Sequence, residues 1–173
     1  MRKVFLILQW LTFSLVVFAQ EEIPTVPEVK NWEDKLEVAS LESHVIDMLN
    51  WLTKTPLSEH VVERSELSYF VLEWLTRTPS IQVVIQMKSF EQDFLTKEDM
   101  QLAYIEGCSL YALKHKSNGN QKSQDMAGLK VVAFMAESSK TYYKEAVFKD
   151  LIRAVKKNHL DELYDDYTKT KSN

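Results

Sequence analysis

The feature that most constrains this chain is a helix ending that it uses twice. Leu49-Asn50-Trp51-Leu52-Thr53-Lys54-Thr55-Pro56 returns as Leu72-Glu73-Trp74-Leu75-Thr76-Arg77-Thr78-Pro79. In each copy an apolar turn runs into a proline, which pushes the residue before it out of the α region. Neither helix can therefore continue through Thr55 or Thr78. Read backwards from the prolines, Val38 aligns with Val61, Ala39 with Val62 and Leu49 with Leu72, so the match reaches roughly a full helix. Two helices joined by so short a link form an antiparallel hairpin. Trp51 and Trp74 then lie at opposite ends of the pair, as core anchors and not as halves of one aromatic box.

The helical period continues on both sides of this hairpin. Leu36, Ala39, Ile46, Leu49 and Leu52 space a first helix from about Glu33 to Lys54. Val62, Leu67, Phe70, Val71, Trp74 and Leu75 stripe a second, with Ser58 as its expected N-cap. After a short helical stretch from Phe90 to Leu95, Thr96 and Asp99 predict a capped helix start, with Leu95 and Met100 as a hydrophobic staple. The helix that follows is apolar nearly all round, through Leu102, Ala103, Tyr104, Ile105, Cys108, Leu110, Tyr111, Ala112 and Leu113, which marks it as the central one. Ser117 to Asn120 reads as a loop. Met126, Leu129, Val132, Ala133 and Ala136 space a further helix. Gly107 and Gly128 lie inside helices, where each costs ~1 kcal/mol against alanine, and close helix crossing would explain that cost. Val147, Phe148, Leu151, Ile152 and Val155 define another helix, and Leu160, Leu163, Tyr164 and Tyr167 a last short one. The expected fold is all-α: antiparallel helical hairpins in a single bundle of about six or seven helices over residues 33–167, with a polar, disordered tail over 168–173. One stretch breaks the pattern. Ile81, Val83, Ile85 and Met87 alternate with Gln82 and Gln86, a period of two, so a short extended segment is expected near 81–87.

Residues 1–19 carry a charged start at Arg2 and Lys3, an apolar run from Val4 to Phe18 and a small-residue end at Ala19. This is the pattern of a secretory signal peptide, and the run is shorter than the ~20 residues of a spanning helix. Residues 20–32, with Pro24 and Pro27, read as a linker. The expected product is exported, periplasmic or extracellular, without a membrane span. Removing Arg2 and Lys3 from the 21 basic residues leaves 19 against 25 acidic ones, a net charge near −6. That balance argues against nucleic acid as a partner, because binding it needs a basic face. The single cysteine, Cys108, cannot form an intrachain disulfide, so packing must supply the stability.

Catalysis needs paired groups, and the sequence offers few. His44 with Asp47 and His159 with Glu162 each share a helix face, but zinc sites need three or four ligands. Cys108 and His115 lie ~10 Å apart along one helix, too far for a nucleophile and its base. Asp161, Glu162, Asp165 and Asp166 lack the glycine of a calcium loop. There is no phosphate-binding loop, nucleophile elbow, His-Glu-x-x-His or Cys-x-x-Cys. No catalytic, cofactor or metal residue is assigned, and an enzyme is the less favoured reading. Two sets of residues remain as candidates. Ile81, Val83 and Ile85, with Tyr142, Tyr143, Tyr164 and Tyr167, form a candidate protein-interaction surface, since tyrosine is favoured at interfaces. Tyr104, Cys108 and Tyr111 form a candidate lining for a small apolar ligand.

The leader ending Phe18-Ala19-Gln20, the Trp-Leu-Thr-x-Thr-Pro stops and Met126-Ala127-Gly128-Leu129-Lys130 together resemble small, uncharacterised exported all-helical proteins of Gram-negative bacteria. The resemblance covers most of the chain after the leader, and it implies an exported helical fold and no catalytic residue. The functional expectation is a non-enzymatic domain that binds a protein or serves in the envelope. The alternatives are a small apolar ligand-binding protein or an enzyme with an unrecognised site.

Overall fold

The computed structural model describes residues 22–81, 90, 93–116 and 120–170. Among these are seven α-helices and no strand: α1 (Lys35–Ser40), α2 (Glu42–Leu52), α3 (Val61–Arg77), α4 (Glu98–His115), α5 (Gln121–Ser138), α6 (Ala146–Lys156) and α7 (Leu160–Thr170), with a 3-10 turn at Tyr142–Lys144. Helix packs on helix throughout, so the chain is an all-α bundle, as its periodicity requires.

The core is in two parts that share α4. On one side Val38, Val45, Met48, Leu49 and Leu52 pack with Leu67, Val71 and Trp74, and Leu113 of α4 closes this cluster. On the other, Met100, Ala103, Tyr104 and Cys108 of α4 pack with Leu129, Val132 and Ala136 of α5, Phe148 and Leu151 of α6 and Leu160 of α7. Apolar neighbours on both sides explain why α4 has no polar face.

Helices α4 and α5 cross closely at Gly107 and Gly128. A Cβ at Gly107 would lie 2.8 Å from the Ala127 carbonyl oxygen and from Gly128 Cα. One at Gly128 would lie 2.8 Å from the Tyr104 carbonyl oxygen. Backbone meets backbone here, and only glycine leaves room for it.

The structure differs from the sequence reading at several element ends. The first helix is two, broken at Leu41, because the Trp74 indole donates to the Val38 carbonyl (2.7 Å), the acceptor an unbroken helix would offer to residue 42. The first Thr-Pro stop acts early, ending α2 at Leu52, whereas the second ends α3 at Arg77 with Thr78 extended before Pro79. Ser58 does not cap α3. His60 holds the N-cap position instead, without a side-chain cap hydrogen bond, in the left-handed region at φ 49°, since the chain needs the intervening turn to reverse direction. Thr96 is likewise not the cap of α4. The helix starts after Lys97, and the Asp99 carboxylate accepts from Met100 N and from Tyr142 Oη. Leu95 and Met100 are nevertheless both fully buried. Leu36 and Val62, expected inside, are 84% and 67% exposed. Helix α7 runs to Thr170, beyond Thr168 where the sequence reading begins a tail. Of the expected extended segment near 81–87, Ile81 is half-buried against the α1–α3 core, and 82–87 lie outside the described residues.

Candidate functional site

Helices α3 and α4 flank a groove of about 360 Å³. Its walls are apolar: Leu57 from the turn before α3, Val61, Tyr69 and Leu72 from α3, and Leu102 from α4, with Glu98 and Asp99 at one end. The α3 residues recur at helical spacing, so one face of α3 supplies the wall, with Ser65 as its one exposed polar position between Val61 and Tyr69.

The floor is polar and formed by Arg64, Ser68 and Glu106, all buried. Pro56 has no N–H to offer the Leu52 carbonyl at the end of α2, while the Leu49 and Trp51 carbonyls accept from Thr53 N and Thr55 N. Arg64 Nη2 supplies donors instead, to the carbonyls of Leu52 and Thr55, with Met135 Sδ at 3.7 Å. The other terminal nitrogen lies 3.4 Å from Glu106 Oε2, and Ser68 Oγ donates to Glu106 Oε1 at 2.7 Å. Burial pushes the Glu106 carboxyl above its usual range, and Arg64 and Ser68 oppose that rise without cancelling it. Arg64 Nε is buried without a hydrogen-bond partner.

This arrangement suits holding better than reacting. Both oxygens of Glu106 are engaged, and Ser68 donates to a carboxylate with no imidazole between them, so it lacks the base a nucleophile needs. The end carboxylate Asp99 is tied by the Tyr142 hydroxyl at 2.8 Å.

A second buried polar node lies across α4. Asp125 accepts from Tyr104 Oη (2.6 Å), Tyr164 Oη (2.8 Å) and Gln121 Nε2 (2.7 Å), so one carboxylate ties α4, α5 and α7. Burial, with the neighbouring Asp125 charge adding to it, pushes the Cys108 thiol up to about 12, and Sγ donates to the Gln124 carbonyl. A thiol held that high is not a nucleophile at neutral pH.

The candidate residues from sequence fall into separate places. Tyr104 and Cys108 are fully buried against Gly128, where an added Cβ would lie 2.6 Å and 2.7 Å from their side chains, so that space is filled. Tyr111 instead lines a shallow surface groove with Leu110, Val131 and the ring of His115, stacked on it at 4.0 Å. The three do not share a pocket. Of the tyrosines, Tyr142 is held by Asp99, Tyr164 by Asp125, and Tyr167 packs on Phe90 and Phe94. Tyr143 alone of the four is strongly exposed, at 50%. Ile81 faces the core, and Val83 and Ile85 lie outside the described residues. His159 pairs with Glu162 at the surface, and His44 and Asp47 line a dent with Glu22 to Thr25. Among the described residues no group of three or more His, Cys, Asp or Glu is placed to hold a metal. Sequence reasoning missed Arg64, Ser68, Glu106 and Asp125. Their one signal was a charged or polar residue on an otherwise apolar face, most visible for Glu106 in α4.

The fold and site together define an all-α bundle with an apolar groove over a buried ion pair. No family model, curated protein or solved structure matches the chain.

Proposed function

We propose that this protein is an exported, non-enzymatic helical domain that takes an apolar segment of a protein partner into the α3–α4 groove. The observation that carries this reading is the rim. Val61 and Tyr69 are 62% and 73% exposed, and they lead directly to the half-buried Leu72 and Leu102. Exposed apolar side chains contiguous with an apolar groove mark an interaction site more often than scattered ones do. The groove is open along α3, which suits a peptide laid lengthwise with anchors at i, i+3 and i+4. Glu98 at its end favours a segment with a basic flank. Export rests on the leader-like residues 1–19, and the resemblance to small exported helical proteins of Gram-negative bacteria fits it.

Selection from a displayed peptide library tests the reading, with a Val61→Glu/Tyr69→Glu double variant as the counter-target. Peptides enriched on the wild type should carry apolar residues at helical spacing and lose at least tenfold in affinity on the variant. Binders that ignore both substitutions, or a failure to enrich any, would sink the groove as a partner site.

A further inference from the structure

The described surface carries a strong charge asymmetry that the groove does not use. Between residues 140 and 157 there are six basic side chains, Lys140, Lys144, Lys149, Arg153, Lys156 and Lys157, and two acidic ones, Glu145 and Asp150, in a chain of net charge −4. All six basic residues are exposed. Lys149, Arg153 and Lys156 lie on α6, Lys157 caps its end, and Lys140 precedes the 3-10 turn that Lys144 closes before it; the other face of α6 is committed to the core through Phe148, Leu151 and Ile152. Arg153 pairs with Asp150 and Lys156 with Glu137, whereas Lys140, Lys144, Lys149 and Lys157 have no ion pair among the described residues.

Two aromatic rings border this face. Tyr143, 50% exposed, sits in the 3-10 turn between Lys140 and Lys144, and that turn packs against α6. Phe134, 38% exposed, sits one turn before Glu137, the partner of Lys156. Cations on long stems beside half-exposed aromatic rings match the headgroup region of a bilayer, where phosphates meet the first methylenes. The acidic remainder of the chain is no obstacle, because charges beyond about 8 Å are screened at physiological salt.

We propose that the α6 face, with Tyr143 and Phe134 at its edge, docks peripherally on an anionic lipid bilayer. The occupant follows from charge complementarity together with the two rings. A nucleic acid would use the lysines but gives exposed rings at the edge of a duplex site little to bury. This surface shares no residue with the lining of the α3–α4 groove, and the inference stands or falls independently of that reading.

Cosedimentation with vesicles tests it, using phosphatidylcholine alone and phosphatidylcholine mixed with phosphatidylglycerol. The protein should bind the anionic vesicles and not the neutral ones, and release in 1 M salt, where the screening length is about 3 Å. Each cation at the surface is worth about fivefold in partitioning, so Lys149→Glu/Lys157→Glu should lower binding by at least about 25-fold. Tyr143→Ser should lower binding to the same vesicles severalfold with the charge unchanged. Circular dichroism should read the same for both variants, since all three positions are exposed. Equal binding to neutral vesicles, no binding to anionic ones, or an unaffected charge variant would overturn the proposal. Tighter binding to a DNA duplex than to anionic vesicles, insensitive to Tyr143→Ser, would assign the face to nucleic acid instead.

Discussion

Replacing Gly128 with alanine sets two magnitudes against each other. Helix propensity favours alanine by about 1 kcal/mol. The new Cβ, however, would stand 2.6 Å from Tyr104 Cδ2, 2.7 Å from Cys108 Sγ and 2.8 Å from the Tyr104 carbonyl oxygen. The ring cannot swing aside freely, because its hydroxyl is held by Asp125 at 2.6 Å. The carbonyl belongs to the α4 backbone, so relief requires α4 and α5 to move apart. Overpacking of this kind costs about 1–3 kcal/mol, and weakening a hydrogen bond to a charged group adds about 1.5–3 kcal/mol. After the propensity gain the net should be a loss of about 1.5–5 kcal/mol, or roughly 3–20 °C in Tm for a chain of this size. Urea unfolding followed by tryptophan fluorescence measures it, and Gly107→Ala should behave alike because its Cβ meets Ala127 O and Gly128 Cα. A Gly128→Ala protein as stable as wild type would refute the close crossing on which the α4–α5 packing rests.

Four further outcomes follow from the buried polar groups. Arg64→Met should cost about 3–5 kcal/mol by leaving Glu106 buried without its counter-charge, and adding Glu106→Leu should recover most of that loss in the same unfolding assay. Because burial raises the Glu106 carboxyl above 4.5, the stability it contributes is full below that pH and fades as pH climbs through the raised folded value. The stability of wild type relative to Glu106→Gln should therefore fall with rising pH, and a difference that grows instead would contradict the assignment. Tyr164→Phe should cost about 1.5–3 kcal/mol by removing one of the donors to the buried Asp125 carboxylate. Cys108, with its thiol near 12, should resist alkylation in the native protein at pH 8 and react fully in denaturant, as mass spectrometry would show.

What the sequence made legible was whatever periodicity and backbone chemistry dictate locally. The doubled Thr-Pro stop marks the α2–α3 hairpin because proline acts on its immediate neighbour. The apolar girdle of α4 marks it as central, and the cost of Gly107 and Gly128 inside helices pointed to a close crossing. Caps were less legible. Ser58 and Thr96 have the right chemistry, but the α2–α3 turn puts His60 at the start of α3, and Asp99 is used by Tyr142 from another element. The Arg64–Glu106 and Asp125 nodes were not legible at all. Each joins residues far apart in the chain, and a lone charge on an apolar stripe does not say which distant side chain answers it. The same holds for Leu36 and Val62, whose apolar character fits the stripe while tertiary packing leaves them outside.

The two nodes explain how a helix without a polar face settles in one rotation. Apolar packing alone specifies the rotation of α4 weakly, since neighbouring side chains on such a helix are nearly interchangeable against an apolar neighbour. Tyr104 and Glu106 are two residues apart, so about 200° separates them around the helix axis. One reaches Asp125 on the α5–α7 side, and the other reaches Arg64 and Ser68 on the α3 side. A turn of α4 by one residue, about 100°, would strand both at once and bury Glu106 away from Arg64. Gly107, the residue after Glu106, adds that only this rotation presents the missing Cβ to α5. Three positions within one turn of α4, Tyr104, Glu106 and Gly107, thus choose one orientation out of several that hydrophobicity alone would accept, and that orientation sets Leu102 and Glu106 along the α3–α4 groove.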